Sequence, residues 1–263
     1  MLRALYTRAT GMKAQELLID STANNLANVN TNGFKRSHLD FADLLYATIN
    51  AAGTEVAAGQ QSPTGMQIGS GVRAVGTTKI FTTGALTQTN NPLDVAIDGD
   101  GFLKVLLPTG EFRYTRDGAL KLDANGQLVT GDGYLVDGGV TIQDGVSQIR
   151  IGADGTLTGI QSGSSETSVS LGQLQLARFL NPAGLSSEGG NLYAATPASG
   201  VEVLGTPGQN GLGTFLQGFL ESSNVEVVTE LISLISAQRA YEINSRAIRA
   251  GDEMLATTTD IVR

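Results

Sequence analysis

Two aspartates two residues apart, in Asp98-Gly99-Asp100-Gly101, are the side chains whose type and spacing most nearly suit chemistry. Carboxylates so placed can share a divalent cation, as in calcium-binding loops. An EF-hand loop then needs a ligand at its fifth position and a glutamate at its twelfth, where Phe102 and Thr109 stand. The motif therefore reads as a turn between a strand ending Val95-Ala96-Ile97 and a strand starting at Phe102. His38 is the single histidine, and no serine or aspartate around it has nucleophile-elbow spacing. In Gly69-Ser-Gly71-Val-Arg-Ala-Val-Gly76 the third glycine falls too late for a dinucleotide fingerprint, and no strand–turn–helix frames it. The chain has no cysteine, which removes disulfides, thiolate metal sites and a cysteine nucleophile. No site for catalysis is expected, and no metal or cofactor.

The elements around these residues tell more. From Leu2 to Leu26 a three-and-four spacing runs through Leu2, Leu5, Ala9, Met12, Glu16, Ile19, Ala23 and Leu26, with Glu16 the single break. At the other end Val227, Leu234, Tyr241, Ile248, Leu255 and Val262 recur every seven residues. Positions between these, such as Leu231, Gln238 and Ser245, are mixed. All six prolines lie between Pro63 and Pro207, and glycine is absent from Met12 to Asn32 and from Phe219 to Ala250. This pattern predicts a helix from about residue 2 to 27, ending in an asparagine cluster and Gly33, and a second from about 224 to 261 that Ser222 or Asn224 caps. The second helix, roughly 55–60 Å long at 1.5 Å per residue, cannot bury its stripe against a small domain. It needs the first helix or neighbouring copies. The expected assembly core is Leu2, Leu5, Met12, Ile19, Leu26, Val227, Leu231, Leu234, Tyr241, Ile248 and Leu255.

Between the helices the chain is different. Phe41, Leu44 and Leu45 form a short amphipathic patch that suits a helical turn. Residues 51–73, rich in Gly, Gln, Ala and Thr, read as an extended arm. From about 75 to 218 the chain reads as β. Asp117-Gly118, Asn125-Gly126, Asp132-Gly133 and Asp154-Gly155 supply the positive φ angles of tight hairpin turns and imply a meander of short strands. The stretch Val169–Leu176 alternates as a half-buried strand does. The expected fold is α+β: N- and C-terminal helices forming a coiled-coil-like core domain (residues 1–33 and 219–263), an extended arm (34–74), and a central antiparallel β-rich domain (75–218).

A chain of 263 residues with net charge −8 is large enough for a sizeable core and is a poor match to nucleic acid, whose phosphates need clustered Lys and Arg. No small-molecule substrate is expected. No stretch approaches the roughly 18 apolar residues of a membrane span. Arg3, Arg8 and Lys13 interrupt any apolar run of a secretory signal peptide, so the chain is expected to be cytoplasmic, or exported by a route that leaves the N-terminus uncut.

The run Ala23-Asn-Asn-Leu-Ala-Asn-Val-Asn-Thr-Asn-Gly-Phe-Lys-Arg36 resembles the N-terminal signature of bacterial flagellar rod and hook proteins. Glu221-Ser-Ser-Asn-Val-Glu-Val-Val-Thr-Glu-Leu-Ile, continuing to Ala237-Gln-Arg-Ala-Tyr-Glu242, resembles the matching C-terminal one. Asn91–Phe102, Tyr114–Gly118 and Gly131–Leu135 fit as well, so the likeness covers nearly the whole chain. Gly65–Arg73 after a long arm, together with Leu171–Leu185, brings it nearest to the distal rod. The resemblance marks Asn24, Asn25, Asn28, Asn30, Gly33 and Phe34 as signature residues.

It implies a structural subunit of the flagellar basal-body distal rod, self-assembling into a helical tube that transmits motor torque to the hook. The paired terminal helices would line the tube. The implied partners are copies of itself, proximal rod proteins, the hook protein or its junction, the L-ring and P-ring bushing proteins, and the flagellar export apparatus. The implied location is the basal body, from periplasm to outer membrane, after type III export without cleavage. The arm, with Met66, Ile68 and Val72 as its anchors, bridges neighbours in such proteins, and Phe41 with Leu45 matches the spacing presented to the export gate. The alternatives are a proximal rod or hook subunit, or, in another class, a secreted β-rich carbohydrate-binding or hydrolytic protein. The absence of tryptophan and the presence of only six tyrosines argue against the last.

Overall fold

The computed structural model describes residues 2–53, 55–57, 60–61, 63–142, 146–161 and 168–261. The chain divides into two compact units, one of Met1–Leu26, Ser37–Thr78 and Val227–Arg263, the other of Ala27–Arg36 and Lys79–Glu226.

The first unit carries helix α1 (Leu2–Ala27), strands β1 (Ser37–Asp43), β2 (Tyr46–Asn50), β3 (Glu55–Ala57), β4 (Gln60–Gln61), β5 (Met66–Gly69) and β6 (Val72–Lys79), and helix α2 (Val227–Ile261). Both helices match the proline-free, glycine-poor segments. Strand β1 pairs with β6, β2 with β5 and β3 with β4. In the β2–β5 ribbon Ala47 faces Ile68 and Thr48 faces Gln67. Phe41 therefore lies in a strand, not in the helical turn that its spacing from Leu45 suggested. Leu39, two residues earlier, is buried, and pairing with β6 satisfies a backbone that a lone turn would leave open to water.

The second unit carries β7 (Leu86–Gln88), β8 (Val95–Asp98), β9 (Phe102–Leu106), β10 (Phe112–Thr115), β11 (Lys121–Leu122), β12 (Leu128–Val129), β13 (Leu135–Val136), β14 (Val146–Ile151), β15 (Thr156–Gln161), β16 (Ser168–Gln173), β17 (Leu176–Arg178), β18 (Ser186–Gly189), β19 (Leu192–Ala194), β20 (Val203–Gly205), β21 (Thr214–Gln217) and β22 (Phe219–Glu221). Its main sheet runs β11-β12-β13-β9-β10-β19-β18, with β17 also on β9 and β20 on β17. Strands β14, β15 and β16 form a second sheet, and β8–β21 and β7–β22 are two-stranded ribbons. The core gathers Val95, Ile97, Leu103, Val105, Leu128, Leu157, Leu174, Leu176 and Phe215. Beside it Phe102, Tyr114, Phe179 and Tyr193 pack edge to face, Tyr114 and Phe179 with ring centroids 4.7 Å apart.

The meander turns fall where the dipeptides placed them. Gly126, Gly133 and Gly155 have positive φ between paired strands. Asp98 ends β8 and Phe102 starts β9, so Asp98–Gly101 is a turn. The expected strand 169–176 is divided between β16 and β17, because the backbone N–H of Leu174 turns to the carbonyl of Gly155. Gly118 differs from its fellows: its φ is not positive, and a Cβ there would overlap the Val95 carbonyl. That carbonyl belongs to buried strand β8, whose Val95 N–H also bonds Gly118 O at 3.0 Å. Gly118→Ala should cost on the order of 3 kcal/mol or more of β-unit stability. Urea denaturation should show the loss, whereas Gly133→Ala, with open space around its Cβ, pays only for its φ.

Candidate functional site: the helix pair, the arm clasp and a buried ionic junction

The two helices of the first unit lie antiparallel. A Cβ on Gly251 would stand 2.8 Å from Leu5 Cδ2, a Cβ on Gly11 would stand 3.4 Å from the Asn244 amide, and Asn25 bonds Glu230. The residues turned inward are small or polar: Ala14, Thr22 and Asn25 on α1, Glu230, Ala237 and Gly251 on α2, with Asn244 half-buried between the last two. On α2 these recur every seven residues, which keeps one face against its neighbour. Small residues there allow close approach.

The large apolar residues are less enclosed, Leu5 against Gly251 included. Leu5, Met12, Ile19 and Leu26 on α1 are half-buried, as are Leu234, Ile248 and Leu255 on α2. Val227, Leu231 and Tyr241 are about 40% exposed. The Leu2 side chain and Val262 lie outside the described residues. Val228, Ile232, Ile235, Ile243 and Met254, which the seven-residue series does not include, are exposed. Their signal was the apolar cluster Val227-Val228 and Leu231-Ile232, two adjacent pairs four residues apart, wider than one seam.

Signature residue Asn25 ties this pair to the chain beyond it. Its amide donates to Ser37 O at 2.9 Å and to Glu230 Oε2 at 3.3 Å, and its Oδ1 accepts the Ser37 N–H at 2.9 Å. Asn24 and Asn30 are exposed, while Asn28 Oδ1 accepts from the Thr31 hydroxyl at 3.1 Å. Arm residues Met66 and Ile68 are exposed, and Val72 is half-buried. The arm is clasped at its base: Val72 N–H reaches Thr10 Oγ1 at 3.4 Å, and Leu44 N–H bonds Gly71 O at 2.8 Å. Gly71 has φ +119, and a Cβ there would overlap Thr10 Oγ1.

In the second unit Gly33, with φ +67, turns the chain so that its N–H bonds Glu221 O at 2.7 Å. Phe34 is buried under the Lys79 ammonium, 4.5 Å from the ring centre. Lys35 is wholly buried and donates to Glu221 Oε1 and to Thr82 O at 2.6 Å. Arg116 donates to Glu221 Oε2 at 3.2 Å and to Gly99 O at 2.7 Å. The Gly84 N–H adds a bond to Glu221 Oε1 at 2.9 Å. Asn224, expected as a helix cap, is engaged elsewhere: its Oδ1 accepts from Arg36 N–H at 2.8 Å and its amide donates to Ile80 O at 2.8 Å. One carboxylate thus holds two buried cations where residues 32–36 and 221–224 meet. Sequence reading did not join Lys35, Arg116 and Glu221, because nothing in chain order announces that three distant charges converge.

Burial pushes the Lys35 ammonium below the usual 10.5, the Glu221 carboxylate opposes this, and Arg116 adds to it. Burial lowers Lys79 too. Between its folded value and 10.5 the unfolded chain binds more protons at Lys35, so stability should rise with pH there. Tyr193, pushed up to about 12 mainly by burial, acts in the opposite sense above its ordinary value of 10.0. The urea midpoint should climb as the pH rises towards the ordinary lysine value of 10.5, and Lys35→Met should remove part of the climb.

Among the described residues no three His, Cys, Asp or Glu side chains are grouped to hold a metal ion, and no helix is long and apolar enough to cross a membrane. His38 is exposed, 3.8 Å from Asp40.

Three family models match: the flagella basal body rod protein model at residues 5–35, the flagellar hook protein FlgE/F/G D1 domain at 96–159, and the flagellar basal body rod FlgEFG protein C-terminal model at 216–261. The chain is 46% identical to the flagellar basal-body rod protein FlgG of Borreliella burgdorferi, over 100% of both chains. It is 45% identical to that of Caulobacter vibrioides over 99% of both. A hook-basal body complex protein, FlhP of Bacillus subtilis, is 32% identical over 99% of this chain and 100% of its own. Spread over α1, the β unit and α2 alike, these matches show that the chain belongs to the flagellar basal-body rod protein family.

Proposed function

We propose that the chain is a structural subunit of the distal rod that polymerises into a helical tube, passing motor torque to the hook. The observation that carries this is the outward display of large apolar side chains on α2: Val228 is 64% and Ile232 60% exposed, while small and polar residues fill the intramolecular seam. A lone chain leaves that stripe in water, at a cost of roughly 25 cal/mol per Å² of apolar surface left uncovered. Neighbouring copies packing helix against helix in a coiled-coil-like inner layer remove the cost. The partners are then proximal rod proteins below, the hook or its junction above, and the L- and P-ring proteins around it. The site is the basal body between periplasm and outer membrane, reached by flagellar export without cleavage, with Phe41 and Leu45 presented to the export gate before folding.

The arm ribbon β2–β5 is exposed on both faces, with Tyr46, Ile49, Met66 and Ile68 open to solvent. A two-stranded ribbon is marginal alone, so contacts with neighbours stabilise it and stiffen the tube. Removing residues 53–63 leaves Ala51, Ala52, Thr64 and Gly65 to close the ribbon and keeps the Gly71 clasp. The expected result is a foldable chain whose polymers are curved or more flexible in electron micrographs. Straight polymers of wild-type stiffness would rule out this role for the arm.

A further inference from the structure

Among the described residues the most exposed large apolar side chains are Leu180 at 90%, in the second unit, and Leu45 at 89%, in the first. Leu180 rims an apolar groove of about 300 Å³ beside β20, walled by Phe179, Val203, Leu204 and Leu212. Val201, just before β20, is 85% exposed. Among the described residues strand β20 pairs with β17 alone, which leaves its other edge without a neighbouring strand. Arg178 sits opposite Val203 in that pairing. Its guanidinium donates to Asn210 O at 2.7 Å and meets no carboxylate among the described residues. The exposed face thus presents apolar, cationic and apolar groups in close order.

Phe41, Asp43 and Leu45 form the counterpart. They are exposed at every second residue, with half-buried Ala42 and Leu44 between them, the alternation of extended chain. The Asp43 carboxylate has no partner among the described residues. The Leu44 N–H bond to Gly71 O fixes the backbone where Leu45 turns outward. This segment offers what the groove lacks: a carboxylate between two apolar side chains, and an extended backbone able to join a free strand edge.

We infer that the Phe41–Leu45 segment of one copy seats in the β20 groove of a second copy, with Asp43 against Arg178 and Leu45 beside Leu180 and Val203. The inference rests on the self-assembly reading and names one contact within it. Both surfaces are open in the single chain, and each supplies the sign of charge and the apolar groups the other requires.

The chain has no cysteine, which makes a clean test possible. Chains carrying Leu45→Cys and chains carrying Val203→Cys are mixed, assembled and oxidised. A disulfide-linked pair should form in the polymer and not in dilute monomer, and Leu45→Cys mixed with Leu122→Cys should give none. Independently, Arg178→Glu should raise the concentration needed for assembly about tenfold, as loss of one interfacial charge pair does. Adding Asp43→Arg to the same chain should restore it. Polymers without the 45–203 link, or an Arg178→Glu threshold equal to wild type, overturn the inference and leave self-assembly standing. A wild-type chain that never polymerises overturns both.

Discussion

Glu221→Gln should destabilise the β unit by on the order of 3–5 kcal/mol, the range for removing one partner of a buried ion pair. Glu221 is 1% exposed and is the carboxylate that meets both Lys35 and Arg116. Glutamine is nearly isosteric, so packing survives while two buried cations lose their counter-charge. Lys35→Met should cost less than about half as much, since the Arg116–Glu221 pair remains and a desolvated ammonium is removed. The chain has no tryptophan, so far-UV circular dichroism in urea is the readout. A Glu221→Gln loss within about 1 kcal/mol would mean that the junction contributes little beyond ordinary hydrogen bonds.

Aspartate at Ile232 or Ile235 should abolish polymerisation and leave the monomer folded. Ile232 is 60% and Ile235 47% exposed in the single chain, so a carboxylate there is tolerated in solution. Buried between copies, it costs several kcal/mol, enough to raise the assembly threshold about a thousandfold. Ala237→Asp should act differently. Ala237 is 2% exposed in the seam of α2, and a charge there should separate the helices within one chain, lowering helicity before assembly is attempted. Ile232→Asp chains that polymerise at wild-type concentration would show that this face is not an interface.

Both helices, the meander and the turn at Asp98–Gly101 were legible because proline, glycine and Asp-Gly or Asn-Gly placement act locally. The seam was harder to read. A search for large apolar residues finds Val227, Leu234, Tyr241 and Ile248, whereas the face that meets α1 carries Glu230, Ala237, Asn244 and Gly251. Hydrophobic periodicity sees what a helix must bury somewhere, not which neighbour covers it. Strand β1 was misjudged for a related reason: five residues with apolar ends suit a helical turn or a strand, and only the distant partner β6 decides. The junction of Lys35, Arg116 and Glu221 is beyond any local pattern, since its members lie up to 186 residues apart.

The central claim is that the stripe through Val228, Ile232 and Ile235 is covered by other copies of the chain in a tube. Helical reconstruction from electron micrographs of the concentrated, purified chain tests it most directly. The account predicts hollow tubes whose innermost layer is made of α1 and α2, with Val228, Ile232 and Ile235 packed against a neighbouring copy. Tubes with that stripe facing water, or a chain that remains monomeric at every concentration reached, would contradict it.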